Sequence, residues 1–140
     1  MQSTYYLRTR ESESLRQIAS EVTDFTNLSE LIYEMYNTMT MYGGIGIAAP
    51  QIGDSRRVLL VCGKEFVNPV IVKSKGYIPS LESCLSFPGR IGFKLRRYSI
   101  DVEYQDRYGN AQNGHYVGRN SIILQHEMDH LNGISIAGKF

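Results

Sequence analysis

The chain has no tryptophan, four prolines and two cysteines in 140 residues. So few cysteines exclude a disulfide-stapled scaffold, and in the cytosolic setting taken here as the default Cys62 and Cys84 are better read as thiols or ligands. An excess of charge is also missing. With 15 basic and 14 acidic residues the net charge is +1, which gives no reason to expect nucleic acid or an anionic membrane as partner. No apolar run approaches the ~20 residues that cross a bilayer. The opening residues, Met1 to Arg8, lack the apolar core of a secretory signal. What remains is an ordinary soluble composition, 42% apolar and 21% charged, in a length that suits one compact domain over 1–140.

The pattern along the chain predicts an α+β fold. Leu15, Ile18, Ala19 and Val22 give residues 11–23 a short helical spacing. Leu28, Leu31, Ile32, Met35 and Met39 form a clearer helical face, with the two methionines as core contacts. Asn27 and Glu30 resemble a capping box before that helix, and Gly43-Gly44 a stop after it. Strand-like segments follow at Arg57–Cys62, Glu65–Lys73, Gly76–Leu81 and Ser99–Gln105, broken at Gly63-Lys64, Ser74-Lys75-Gly76 and Asp106–Asn110. Cys62 ends the Val58–Val61 run and reads as a small buried strand residue. Ile100, Val102 and Tyr104 alternate with polar residues, as in a strand with one wet face. Tyr108-Gly109-Asn110 reads as a hairpin turn with His115–Val117 returning, and a last helix runs from Arg119 to Leu131. The paired arginines Arg56-Arg57 and Arg96-Arg97 read as solvated strand ends. Helices, then strands, then a helix imply mostly antiparallel sheet wrapped around the C-terminal helix, with helices at the N-terminus.

Chemistry concentrates on that last helix. In His126-Glu127-Met128-Asp129-His130 the two histidines lie one turn apart on one face, where both imidazoles can reach a single metal ion with Glu127 on the flank. The neighbouring run Ile122-Ile123-Leu124-Gln125 reads as buried, and neutral imidazoles beside a core need partners. An open catalytic site has three protein ligands, and no His, Asp or Glu follows His130. The third ligand therefore comes from upstream. Cys84 is the better candidate, and His115, in the hairpin's return strand, competes with it. A third segment, Gly44-Ile45-Gly46-Ile47-Ala48-Ala49-Pro50-Gln51, lacks the spacing of a nucleotide loop. Its small residues let another chain approach the backbone closely, and the Gln51 amide can donate to an oxyanion.

Gly44–Gln51, Glu82-Ser83-Cys84-Leu85-Ser86 and Gln125–Gly133 together resemble the three signature motifs of the peptide deformylase family, G-x-G-[LI]-A-A-x-Q, E-G-C-L-S and Q-H-E-x-D-H-L-x-G, in the same order. Phe66-Val67-Asn68-Pro69 and Val102–Asp106 with Gly109 extend the resemblance over most of the chain from about Leu15. It implies a metal-dependent hydrolase that removes the N-formyl group from the formyl-methionine of nascent chains. Cys84, His126 and His130 would hold one divalent ion, Fe(II) in the cell, with Zn, Ni or Co possible in purified protein. Glu127 would be the acid–base residue, with Gln51 and the Leu85 N–H meeting charge on the formyl oxygen. Gly44, Ile45, Gly46, Glu82, Ser83, Ile122 and Ile123 would contact the substrate, with His126 also bordering the methionine pocket. The partner implied is a formyl-methionyl nascent peptide met near the ribosome by a monomer in the bacterial cytoplasm, without direct nucleic-acid or membrane contact. Two features depart from the family pattern. Ser83 stands where a glycine is usual, which puts a side chain beside the cleft. The chain also lacks the C-terminal extension of many bacterial members, so that it is similar to the short forms encoded by bacteriophages. The rival functions are a zinc endopeptidase, which shares the helix motif, and a non-catalytic metal-stabilised binding module.

Overall fold

A computed structural model describes residues 15–84, 86, 89–135 and 138–139. The first α-helix, α1, spans Leu28–Met41. Five strands follow, β1 (Gly46–Ala48), β2 (Val58–Val61), β3 (Lys64–Glu82), β4 (Gly92–Gln105) and β5 (Ala111–Val117). They form one antiparallel sheet in the order β1-β2-β3-β4-β5. A 3₁₀ turn, Ala49–Ile52, leaves β1, and helix α2, Arg119–Leu131, follows β5. A short pair, β6 (Ile134–Ser135) and β7 (Gly138–Lys139), comes last. The class is the expected α+β, and α2 has its expected bounds.

The sheet is sandwiched between the two α-helices near β2. Leu28, Leu31, Ile32, Met35 and Met39 of α1 pack on Ile47, Ile52, Val58, Leu60 and Val67. On the opposite face Leu59, Phe66, Ile100, Val102 and Tyr104 pack on Leu124, Met128 and Leu131 of α2. This explains the unbroken apolar run Val58–Val61, all four buried: a strand covered on both faces needs no alternation. Each aliphatic side chain buried here contributes about 1.5–3 kcal/mol, so packing rather than propensity holds the helices.

Several local expectations change. Leu15 is in 3₁₀ conformation and residues 16–23 are not helical (11–14 lie outside the described residues). Leu15, Ala19 and Val22 are buried, but the backbone bonds elsewhere, with Ala19 N–H to Leu131 O and Ser20 N–H to Ser55 O. Helical spacing had arisen from an irregular segment with one face down, so among the described residues one α-helix, not two, precedes the sheet. Asn27 has φ 63 and no capping hydrogen bond from its side chain, so no capping box forms. Ser74-Lys75-Gly76 does not break the sheet. β3 runs through it, paired Ser74 with Ile100 and Lys75 with Ser99, the ladder's shifts lying earlier, between Val67 and Lys73. Gly76 accommodates φ 72 within the strand. Cys62 is exposed and sits past the end of β2 at φ 51, a turn residue rather than a buried strand residue.

Both arginine pairs are structural. Arg57 donates to Ala19 O, Leu131 O and Asn132 Oδ1, tying the N-terminal segment to the end of α2. Arg56 pairs with Asp54. Arg96 is 6% exposed, and Arg97 stacks on the Tyr77 ring at 4.1 Å.

Candidate metal centre and cleft

The β3–β4 hairpin and α2 bring the motifs together. β5 pairs with β4 only as far as Ser99, which leaves the Arg97 backbone free, and α2 supplies its partners. Gln125 accepts from Arg97 N–H and donates to Arg97 O, and Ser121 Oγ donates to the same carbonyl. The glutamine preceding His126 thus holds α2 against β4, with the histidine stripe turned towards the hairpin end that carries Cys84.

The ligand atoms of Cys84, His126 and His130 lie within 4.8 Å of one another. Cys84 Sγ is 3.2 Å from His130 Nε2, and the two imidazoles meet edge-on with centroids 5.4 Å apart. His115 is not part of the group. It is exposed on β5, with Nδ1 2.5 Å from Asp101 Oδ1 across the ladder, so of the two candidate third ligands it is Cys84 that the fold brings beside the histidines.

A buried ionic chain stands behind the cluster. Glu82 Oε1 is 2.8 Å from His126 Nδ1, which fixes the ring's orientation and leaves Nε2 for the cluster side. Arg96 donates to both oxygens of Glu82, at 2.8 and 2.5 Å, and to Asp129 at 2.5 Å. Burial alone would raise the Glu82 carboxyl, but Arg96 and His126 outweigh it and hold it down at about 2. Burial works against charge on His126, yet Cys84 and Glu82 outweigh it and push that ring up to about 10. Burial drives His130 the other way, to about 3. The surroundings therefore favour one positive charge at His126 and a neutral imidazole at His130. A soft thiolate and two imidazoles suit a divalent metal such as zinc or iron, which would provide that positive charge, so the residues fit the ion that the spacing predicts.

Glu127 is buried, and burial pushes its carboxyl up to about 7. Its Oε1 has no hydrogen-bond partner among the described residues. Gln51 is equally buried and its orientation is fixed. Oε1 accepts from Ala48 N–H at 2.9 Å, so the amide nitrogen faces the cluster, 3.6 Å from Cys84 Sγ and 3.2 Å from Ser86 Oγ.

Gln51, Glu82, Cys84, His126 and Glu127 lie along a cleft of about 650 Å³. Its lining includes Gly44, Ile45 and Gly46 on one side, Glu82, Ser83 and Cys84 on another, and Ile122, Ile123, His126 and Glu127 on α2. Leu85, expected to donate a backbone N–H, lies outside the described residues. Ile122 and Ile123 are half-buried rather than core, because they face this cleft. Glu82, expected against substrate, has its carboxylate committed to Arg96 and His126. Sequence reasoning assigned no role to Arg96 or Asp129, and it missed Arg119, which also lines the cleft.

A family model described as polypeptide deformylase matches residues 5–140. A peptide deformylase of Chlorobium limicola is 41% identical over 117 residues, 76% of this chain and 63% of that protein. The present chain thus spans under two thirds of that relative's length. A peptide deformylase of Desulfitobacterium hafniense is 40% identical over 133 residues, covering 91% of this chain and 89% of that one. Among solved structures, the enzyme of the Vibrio parahaemolyticus bacteriophage VP16T, in complex with actinonin, superposes with a TM-score of 0.89 at 32% identity, covering 93% and 98% of the two chains.

Proposed function

We infer the following from the fact that this chain belongs to the polypeptide deformylase family: it is a hydrolase that removes the N-formyl group from the terminal formyl-methionine of nascent polypeptides and releases formate. The observation that carries the inference to this chain's own residues is the group Cys84, His126 and His130, of which Cys84 and His126 line a cleft that also holds a buried carboxylate and a buried amide. A divalent ion held by those three residues would acidify water and polarise the formyl carbonyl.

The chain's own groups do the rest. Glu127, held near neutrality by burial, accepts a proton from the attacking water and passes it to the departing amine as the C–N bond breaks. Charge growing on the formyl oxygen is met by the Gln51 amide, already aimed inward by Ala48 N–H, and by Leu85 N–H. β1 is an edge strand, so the backbone of Ile45 and Gly46, with Gly44 before them and Ser83 opposite, can pair with the substrate as an added strand. Ile45, Ile122 and Ile123 offer an apolar slot to the methionine thioether, with Glu82 behind it.

The domain works as a single unit and as a monomer, meeting its substrate near the ribosome in the bacterial cytoplasm. No helix among the described residues is long and apolar enough to cross a membrane. Likeness to a phage enzyme supports an infected cell as one setting. Iron(II) is the working metal, with zinc, nickel or cobalt in purified protein, since thiolate and imidazole accept all four.

Formate release from formyl-Met-Ala-Ser by iron-loaded protein tests the assignment. Glu127→Gln should lower kcat by about 10²–10⁴ while metal content stays at one ion per chain. Full formate release by that variant would end the case for Glu127.

A further inference from the structure

The cleft-facing side chains of α2 form a stripe. His126 lies innermost, Ile122 and Ile123 come a turn further out, and Arg119 lies beyond them, all lining the cleft. At 1.5 Å per residue Arg119 is ~10 Å from His126 along the helix axis. Arg119 is exposed, and no described residue makes a hydrogen bond or ion pair with it. The other ionic groups of the lining are occupied or enclosed: Glu82 is bound by Arg96 and His126, and Glu127 is buried. The first turn of α2 carries no acidic residue, and Gly118 offers no side-chain cap, so the positive end of the helix adds to the guanidinium. A guanidinium without a partner among the described residues, at the end of a largely apolar wall, is suited to a carboxylate.

We propose that Arg119 is a specificity-determining residue that pairs with an acidic side chain on the formyl-methionyl peptide, one or two positions after the methionine. The inference rests on the deformylase reading, which puts the formyl group beside His126. The methionine thioether then meets Ile122 and Ile123. An extended chain advances ~3.3 Å per residue, so the ~10 Å to Arg119 is spanned by the time the peptide reaches its second or third side chain. Arg119 thereby favours acidic early residues and disfavours lysine there.

The test uses C-terminally amidated formyl-Met-Xaa-Ala and formyl-Met-Ala-Xaa peptides with Asp, Asn or Lys at Xaa. Wild type, Arg119→Gln and Arg119→Glu are compared by formate release. The readout is the ratio of kcat/KM between Asp and Asn peptides within each variant, so a general change in activity cancels. Because the pair is exposed, the expected preference for Asp is about two- to fivefold at low salt. It should lie in KM, fade at high salt, vanish in Arg119→Gln and reverse in Arg119→Glu. Equal ratios in wild type, or a preference that survives Arg119→Gln, overturns the proposal. So does a preference seen only with free-acid peptides, which assigns Arg119 to a terminal carboxylate. Calorimetric binding of the matching N-acetyl peptides separates the two levels. Charge-selective binding that depends on Arg119, without formate from any peptide, sinks the deformylase reading and keeps the role of Arg119. Absence of both overturns both.

Discussion

The Glu127 carboxylate lies directly over Gly46: a Cβ at that glycine would stand 2.9 Å from Oε2 and 3.1 Å from Cγ. Glu127 is buried on α2 and lines the cleft, so its carboxylate is the group that must shift. Gly46→Ala should therefore displace the carboxylate while leaving the Cys84, His126 and His130 group intact. The expected outcome is a fall in kcat of about 10²-fold or more, with metal content and circular dichroism unchanged. Wild-type turnover in Gly46→Ala would show that this contact does not position Glu127.

Arg96 neutralises two carboxylates at once, Glu82 and Asp129. Arg96→Met removes the counter-charge that both share, Glu82 in a buried site. The expected loss of stability is about 3–5 kcal/mol, and loss of the Glu82 brace on His126 should weaken metal affinity by about 10–100-fold. Adding Glu82→Gln to Arg96→Met should recover part of the stability without restoring the affinity. Denaturant melts and competition with a chelator measure the two effects separately.

Thiol titration distinguishes the two cysteines. Cys62 is exposed, whereas Cys84 is half-buried within the ligand group. An aromatic disulfide reagent should modify one thiol per metal-loaded chain without loss of activity. After chelation it should modify a second, with activity lost. In Cys62→Ser only the chelation-dependent thiol should remain.

Away from the cleft, Glu65 is held below the ordinary carboxylate range by hydrogen bonds from Arg107, which outweigh its partial burial. A depressed carboxylate stabilises fully above its unfolded value of 4.5 and loses that contribution as pH falls through the folded value. The melting-temperature gap between wild type and Glu65→Gln should thus be constant above about pH 5.5 and shrink below about pH 4.5. A gap that widens with acid would contradict the pairing.

Much of the architecture was legible where one physical rule dominated. The 3.6-residue stripe of Leu28 to Met39 and the span of α2 emerged because each helix has one buried face. Ile100, Val102 and Tyr104 emerged because β4 has one dry side. The same parity, carried back through Tyr98, points Arg96 inward, a signal overridden by the habit of reading paired arginines as solvated. Cys62 was misread because an apolar run says nothing of the positive φ that ends it. Asn68 also takes a positive φ, and its side chain clasps the backbone of Val22 and the amide of Gln105. No local pattern encodes that long-range tie. Within the site, sequence identified the residue types that meet, while the Glu82–Arg96–Asp129 chain behind them needed the β3–β4 register to become visible.

The length of β1 has a consequence beyond catalysis. An open sheet edge is ordinarily a template on which other chains aggregate, and proteins blunt such edges by keeping them short or closing them with proline. β1 offers three residues before Pro50 turns the chain away. A whole foreign strand finds too few partners there, whereas the loose end of a newly made chain needs no more. On the proposed function, the edge would discriminate by geometry between a chain terminus, which it would admit, and the interior of a folded neighbour, which it would not.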